Sequence, residues 1–193
     1  GVVLAAPGDR HGIAIGIGVN PWYGLHDPEA MAESAIDEAI RNVVATGADP
    51  DRVALLDNFS WGDPLDPQVL GALVAAVDGC CAAAERYGAP FVSGKDSLNN
   101  TYTGADGKRH AVPPTLVITA VAAVPDADAC VTSALTAPGN ELWLIGPTAD
   151  DFAGSHLDLL DGSHRLPGDG SGTVGRPDNG ALERYRAIHR LIL

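Results

Sequence analysis

Two short polar segments of the sequence carry residue types that bind nucleotides. One begins at Asp57 and the other is Ser93-Gly94-Lys95-Asp96-Ser97, and each follows a short apolar run that predicts a strand. Ligands of α/β sheets lie at strand ends, where a carboxylate can hold a metal or a ribose hydroxyl. Gly94 lets the backbone approach a phosphate, and Lys95 can meet its charge. Ordinary turns use the same residue types, so neither segment decides the matter alone.

A third candidate pair lies on a predicted helix. Glu38 and Asn42 are four residues apart, so their side chains project from one side of the helix, at the edge of its apolar stripe. A carboxylate and an amide oxygen in this arrangement can share Mg²⁺, which takes oxygen ligands and keeps several waters. The alternative is two solvated residues on the helix surface.

The remaining motifs are weaker. The glycine-rich run 168–175 has the composition of a phosphate loop, but it follows no clear strand and opens no helix, so a linker is favoured. The six histidines lack metal-ligand spacing. Cys80, Cys81 and Cys130 contain no CxxC motif, and their odd number argues against a disulfide framework.

Alternating strands and helices must position these candidates. Residues 13–19 alternate Ile and Gly, which predicts a strand whose glycines admit a close neighbour. Asp27-Pro28 and Asp66-Pro67 predict helix starts, with Asp as N-cap and Pro at the first helical position. Gly47 and Gly88 predict the corresponding helix ends.

The other predicted elements complete a layered domain. Further strands are predicted at residues 53–56, 91–93, 115–124 and 142–145, a hairpin at 102–112, a linker at 161–180 and a helix at 181–193. This order predicts the α/β (α+β) class. We place a first domain at residues 1–138 and the truncated start of a second at 139–193.

Composition restricts the function classes. Hydrophobic residues make up 46% of the 193, which allows a sizeable core. The formal charge of −13, from 25 acidic and 12 basic residues, has the wrong sign for nucleic-acid binding. An acidic protein meets nucleotide phosphates through Mg²⁺ or backbone N–H groups. Because no run of about 18 apolar residues is present, no membrane span is predicted, and no signal peptide is visible.

Together and in order, these segments resemble the synthetase subunit of phosphoribosylformylglycinamidine synthase. Residues 35–48 are similar to the family pattern EA-RN-ATGA, residues 55–64 to TDNLNFGNP and residues 88–97 to G-P-VSG-x-S. Residues 113–120 resemble the strand that follows, and residues 152–155 the GGS turn that opens the next domain. The likeness covers residues 13 to 190 and is far more specific than any single motif.

The resemblance implies a fold and a reaction. The fold is an aminoimidazole-ribonucleotide-synthetase-like (PurM-like) ATP-binding domain from the second half of a duplicated subunit, followed by the start of a C-terminal-type domain. The reaction is the purine-synthesis step that converts formylglycinamide ribonucleotide to formylglycinamidine ribonucleotide with ATP, Mg²⁺ and glutamine-derived ammonia. The implied setting is the cytoplasm, with a glutaminase subunit and a small helper subunit, or equivalent domains of one longer chain.

The resemblance also assigns residues. Asp57 and Gly94 fall on ATP-contacting positions of the family's small bacterial form, and Ser97 falls on a substrate-contacting serine. Lys95 stands where that form has a Mg²⁺-ligating Asn, and an ammonium group cannot ligate a cation. In the large single-chain form, the residues that match Glu38 and Asn42 hold Mg²⁺ beside a second nucleotide.

The family's general-base histidine lies outside this chain, so the resemblance implies an active site shared between the two halves and an inactive isolated fragment. Two other interpretations stay open. The chain can be a non-catalytic half that holds a structural nucleotide, or part of another ATP-using enzyme of the same superfamily.

Overall fold

The computed structural model describes residues 1–160 and 173–193, and its centre is a five-stranded sheet in the order β1-β2-β7-β3-β4. The strands are β1 (Val2–Leu4), β2 (Gly12–Val19), β3 (Val53–Ser60), β4 (Phe91–Ser97), β5 (Thr101–Thr103), β6 (Arg109–Ala111) and β7 (Thr115–Val124). The helices are α1 (Pro28–Val44), α2 (Pro67–Tyr87), α3 (His156–Leu160) and α4 (Ala181–Ile192). Short 3-10 turns occupy Tyr23–Leu25 and Ala127–Ala129.

Strand direction brings three carboxyl ends to one edge of the sheet. β3 and β4 are parallel, and β7 runs antiparallel to both β2 and β3. β2, β3 and β4 therefore point the same way, and their carboxyl ends meet at the edge where α/β sheets bind ligands. β5 and β6 form the predicted hairpin beside this edge, outside the main sheet.

The glycines of β2 admit α1. A Cβ atom on Gly18 would lie 1.9 Å from the carbonyl oxygen of Ala35, and one on Gly16 would lie 2.7 Å from that of Ala39. The isoleucines between the glycines lie on the opposite face, where Ile13, Ile15 and Ile17 are about half exposed. The predicted close neighbour of this strand is thus confirmed, and it is the backbone of α1.

Both predicted helix starts are confirmed. The Asp27 carboxylate accepts a hydrogen bond from the Ala30 N–H, and the Asp66 carboxylate accepts one from the Gln68 N–H, which satisfies donors that a helix leaves unpaired. α2 ends at Gly88, whose φ of 61° is the left-handed conformation that favours glycine at this position. By length and composition alone α2 could cross a membrane, a criterion that core helices of soluble proteins also meet.

The sequence predictions differ from the structure at three strands and are incomplete at the linker. β3 and β4 continue to Ser60 and Ser97, so the polar segments are paired strands rather than turns. Residues 142–145 form no strand, since no described strand pairs with them, and their side chains are exposed. Residues 161–172, which include most of the glycine-rich run 168–175, lie outside the described residues.

The predicted last helix is confirmed as α4, and it packs on α1. Tyr185 of α4 and Tyr87 of α2 both donate hydrogen bonds to the buried Asp37 carboxylate, at 2.5 Å and 2.6 Å, and their rings stack with centroids 6.2 Å apart. Arg41 forms an ion pair with the same carboxylate at 3.0 Å. Burial, followed by the Asp37 charge, raises the pKa of both phenols far above its usual value. The domain boundary at residue 138 stays a prediction.

Candidate functional site

The structure brings together the two residues predicted to contact ATP. Asp57 and Gly94 are direct partners in the parallel β3–β4 register. A Cβ atom on residue 94 would lie 2.2 Å from Oδ1 of Asp57 and 2.6 Å from Oδ2. The missing side chain at Gly94 therefore provides the space that the Asp57 carboxylate occupies. Asp57 alternates with Asn58 and shares the helix-facing side of β3 with the buried Leu55 and Phe59.

The Asp57 carboxylate lies in surroundings that disfavour its charge. Partial burial raises its pKa above the usual value, and the neighbouring Asp96 charge raises it further. Burial, with the Asp57 charge in second place, also raises the pKa of the Cys80 thiol on α2 to about 12. A cation or a hydrogen-bond donor near Asp57 would offset this cost.

Lys95 lies in a row of side chains on the other face of the sheet. In register, Val19 pairs with Val117, Val117 with Asn58, and Asn58 with Lys95. A shallow cavity of about 300 Å³ opens here. Its walls are Leu56, Asp57, Asn58, Ser93, Gly94, Lys95, Val117 and Thr119. Lys95 is exposed in this open face, and no carboxylate lies within 4.0 Å of its ammonium group in residues 1–160 and 173–193.

Ser97 lies two residues beyond Lys95 on the same face and directly beside Ser60. Its hydroxyl donates to Oδ1 of Asn100 at 3.1 Å, and Nδ2 of Asn100 donates to Oγ of Ser60 at 2.7 Å. Sequence reasoning singled out Ser97 but missed Ser60 and Asn100. No local pattern marked these two residues, because the hydrogen bond between them joins positions 40 residues apart in the sequence.

Glu38 and Asn42 line the free edge of β2. β1 pairs with β2 as far as Ala14, and Gly1 extends the pairing to Ile15. Beyond that point the Glu38 carboxylate accepts from the Val19 N–H at 2.9 Å, and Asn42 Nδ2 donates to the Ile17 carbonyl oxygen at 2.9 Å. These bonds satisfy edge groups of the strand, a structural role that the sequence did not indicate.

The donor set at α1 suits Mg²⁺ only in company with a phosphate. Within the described parts of the chain, no group of three His, Cys, Asp or Glu residues could hold a metal. One Glu38 oxygen and the Asn42 amide oxygen are nevertheless oxygen ligands. Mg²⁺ commonly combines one or two carboxylates with phosphate oxygens and waters, so these two residues fit a nucleotide-bound Mg²⁺ and leave its other ligands to the nucleotide.

A larger polar cavity of about 500 Å³ adjoins Glu38. It lies between α1 and residues 145–151 and 175–185, and Asn20, Tyr23 and Ser34 are among its lining residues. Its arginines are paired with acids: Arg41 with Asp37, Arg176 with Asp27, and Arg184 with Asp178. The wall is therefore close to charge balance, and an anionic ligand there would need a cation of its own.

The comparison with protein families agrees with this architecture. The model of the AIR synthase related protein family, N-terminal domain, matches residues 1–124. The chain belongs to this family. The match ends at the last residue of β7, so it covers the whole main sheet together with α1 and α2.

Two curated relatives of this AIR synthase related chain carry the same name. "Phosphoribosylformylglycinamidine synthase subunit PurL" of Limosilactobacillus fermentum is 35% identical over 191 residues, which are 99% of the chain and 24% of that protein. PurL of Acidiphilium cryptum is 35% identical over 79% of the chain and 20% of its own length. The resemblance noted from the sequence is thus confirmed, and the chain spans about a quarter of the length of the curated relatives it matches.

Solved PurL structures share the fold of this family member. T. maritima PurL complexed with AMPPCP aligns with 68% of the chain and 21% of its own length, at 27% identity and a TM-score of 0.58. T. maritima PurL complexed with FGAR aligns with 68% of the chain and 20% of its own length, at 26% identity and a TM-score of 0.57. The predicted α/β, aminoimidazole-ribonucleotide-synthetase-like fold is therefore confirmed.

Proposed function

We propose that the chain is one segment of a phosphoribosylformylglycinamidine synthase that makes formylglycinamidine ribonucleotide from formylglycinamide ribonucleotide, ATP and glutamine-derived ammonia. Relatives named PurL match 95% to 99% of the chain at 32% to 35% identity, and T. maritima PurL is found with AMPPCP and with FGAR. The observation that carries the proposal is the fit between Asp57 and Gly94, because the predicted ATP-contacting residues are direct partners in the register of β3 and β4.

Each predicted residue has a role in this proposal. Asp57 contacts ATP, Gly94 leaves room for its carboxylate, and Ser97 contacts the ribonucleotide from the open face. Glu38 and Asn42 would hold a nucleotide-bound Mg²⁺, whose charge would offset that of the phosphates, and Lys95 offers a positive charge without ligating metal. Catalysis then depends on positioning and charge neutralisation of the transferred phosphoryl group.

The active site in this proposal is shared with a second, homologous half of the subunit. The open face of the sheet supports this arrangement, since the side chains of β2 on that face remain about half exposed. The general base comes from the other half, so the isolated chain is inactive. A glutaminase subunit and a small helper subunit, or equivalent domains, supply ammonia, and the enzyme works in the cytoplasm.

The proposal is tested by Asp57→Ala in the full-length protein with ammonia as nitrogen donor. We expect a strong loss of ATP-dependent synthesis of the amidine product. Asp78→Ala is the matched control, because Asp78 is an exposed carboxylate on α2, and it should keep wild-type turnover. Turnover of the Asp57 variant close to that of the control would reject the ATP role of Asp57.

A second function is favoured by the cavity of about 500 Å³ beside Glu38. In this alternative the segment holds a structural nucleotide, with Mg²⁺ on Glu38 and Asn42, and turnover occurs elsewhere in the enzyme. The variant Glu38→Ala/Asn42→Ala should then release the nucleotide that the wild type retains through purification, as measured by chromatography of the heat-released ligand. Circular dichroism checks the fold, since both side chains also bind the edge of β2. If the variant retains as much nucleotide as the wild type, Glu38 and Asn42 have only a structural role.

A further inference from the structure

Asn100 lies between the ends of β3 and β4 and contacts both of their terminal serines. We propose that Asn100 is a positioning residue and that Ser60 is a further substrate-binding residue, which donates a hydrogen bond to an acceptor oxygen of the ribonucleotide. The inference rests on the proposed function, in which Ser97 contacts that substrate. Its basis is the set of hydrogen bonds around the Asn100 amide.

The orientation of the Asn100 amide is determined by a backbone group. Nδ2 donates to the Ser97 carbonyl oxygen at 2.9 Å. A carbonyl oxygen can only accept, so the nitrogen must face it, and Oδ1 must therefore face the Ser97 hydroxyl at 3.1 Å. The Ser97 hydroxyl then has to donate to Asn100. What Ser97 offers a ligand is its lone pairs, which suit a ribose hydroxyl or an amide N–H.

The same amide has the opposite effect on Ser60. Nδ2 also donates to Oγ of Ser60 at 2.7 Å, so this hydroxyl is an acceptor toward Asn100 and keeps its own proton. Ser60 shares the open face with Asn58 and Lys95 by strand alternation. Its proton is thus available where an acceptor oxygen of the substrate, such as a phosphate or carbonyl oxygen, would lie. One amide makes Ser97 an acceptor and Ser60 a donor.

The backbone holds Asn100 in place. Its N–H donates to the Trp61 carbonyl oxygen at 2.8 Å, and its carbonyl oxygen accepts from the Val112 N–H at 3.0 Å. The preceding residue, Asn99, has a left-handed φ of 63°, and the guanidinium of Arg109 donates to the Asn99 side chain and to Oγ1 of Thr101. A group held from several sides orients its neighbours more reproducibly than one on a free loop.

The variant Asn100→Asp tests the orientation with little change in shape. A carboxylate cannot donate, so the Ser60 hydroxyl would turn toward it and withdraw its proton from the substrate. In the full-length enzyme with ammonia, we expect this variant and Ser60→Ala to raise the KM for the ribonucleotide about tenfold each, the scale of one lost hydrogen bond. The KM for ATP should stay within about twofold of wild type. Ser60→Thr keeps the hydroxyl and should restore the wild-type KM.

A double-mutant cycle separates positioning from a merely structural role. Ser60→Ala added to Asn100→Asp should have almost no further effect, because the Ser60 proton is already withdrawn. Additive losses, or an unchanged ribonucleotide KM in Ser60→Ala, would overturn the inference. If Asn100→Asp fails to fold, Ser60→Ala against Ser60→Thr still decides it. A wild-type enzyme without ammonia-dependent synthesis would refute the proposed function itself. An active wild type whose variants keep the wild-type KM for the ribonucleotide would refute only this inference.

Discussion

Gly94→Ala is expected to remove activity while leaving the fold in place. The new Cβ would lie 2.2 Å from Oδ1 of Asp57, whereas ordinary contacts begin at 3.4 Å. The carboxylate must therefore move by about 1 Å. Because it is the mobile end of a side chain, a rotation of Asp57 can accommodate the methyl group at a cost of about 1 kcal/mol.

The displaced carboxylate determines the size of the functional effect. An error of about 1 Å in a positioned group can lower catalysis about 100-fold. We therefore expect kcat/KM for ATP in the full-length protein to fall about 100-fold, with a shift of only a few degrees in the thermal midpoint. The assay is ammonia-dependent product formation, with circular dichroism melting on the same samples.

Two further variants make this prediction refutable. Gly71→Ala is the control, since a Cβ there meets no atom within 4 Å and the change should stabilise α2 by about 0.5 kcal/mol. In the second variant, Asp57→Ala/Gly94→Ala, the methyl group has no carboxylate to displace, so its activity should equal that of Asp57→Ala. Wild-type kcat/KM in a folded Gly94→Ala protein, or an activity of the double variant well below that of Asp57→Ala, would refute the reasoning.

Three other predictions concern stability. Because the pKa of Asp57 is raised in the folded state, its negative charge destabilises the fold at a pH above that pKa, and this cost disappears as the pH falls through it. Asp57→Asn should therefore have a higher melting temperature than wild type at about pH 7, and the difference should shrink toward about pH 4. Gly18→Ala places a Cβ 1.9 Å from the backbone oxygen of Ala35 and should cost about 3 kcal/mol in urea unfolding; a loss below 1 kcal/mol would contradict the close packing. Tyr185→Phe removes one donor to the buried Asp37 and should cost about 1–2 kcal/mol, with faster amide exchange in α4; unchanged exchange would show that the bond does not hold the helix.

The sequence correctly predicted those elements that are determined by residues close together in the chain. The alternation in β2, the Asp N-caps of α1 and α2 and the left-handed glycine after α2 all depend on neighbours within a few residues. The ends of β3 and β4 depend on pairing between residues 37 positions apart, such as Ser60 and Ser97, and the polar side chains gave no local sign of this pairing. The same limit applies to residues 142–145, whose β-prone composition finds no partner strand among the described residues.

The same distinction between local and long-range causes separates the site residues that the sequence revealed from those that only the structure revealed. Asp57, Gly94 and Ser97 were found by pattern, because each lies within a recognisable segment. Ser60 and Asn100 became visible only through bonds that cross from one segment to another. The hydrogen bonds of Glu38 and Asn42 to the edge of β2 likewise join residues 19 and 25 positions apart, so the i, i+4 spacing of the pair on its helix does not predict them.

The contact between α4 and Asp37 has a practical consequence for dissecting this protein. Ala181 and Tyr185 are buried in the hydrophobic core that α1 and α2 contribute to, although they follow the predicted boundary at residue 138. A recombinant protein that stops at that boundary would expose this apolar patch together with a carboxylate deprived of one phenol, and such surfaces promote self-association. Limited proteolysis of the whole chain is therefore a better guide to where the protein can be divided than the predicted boundary at residue 138.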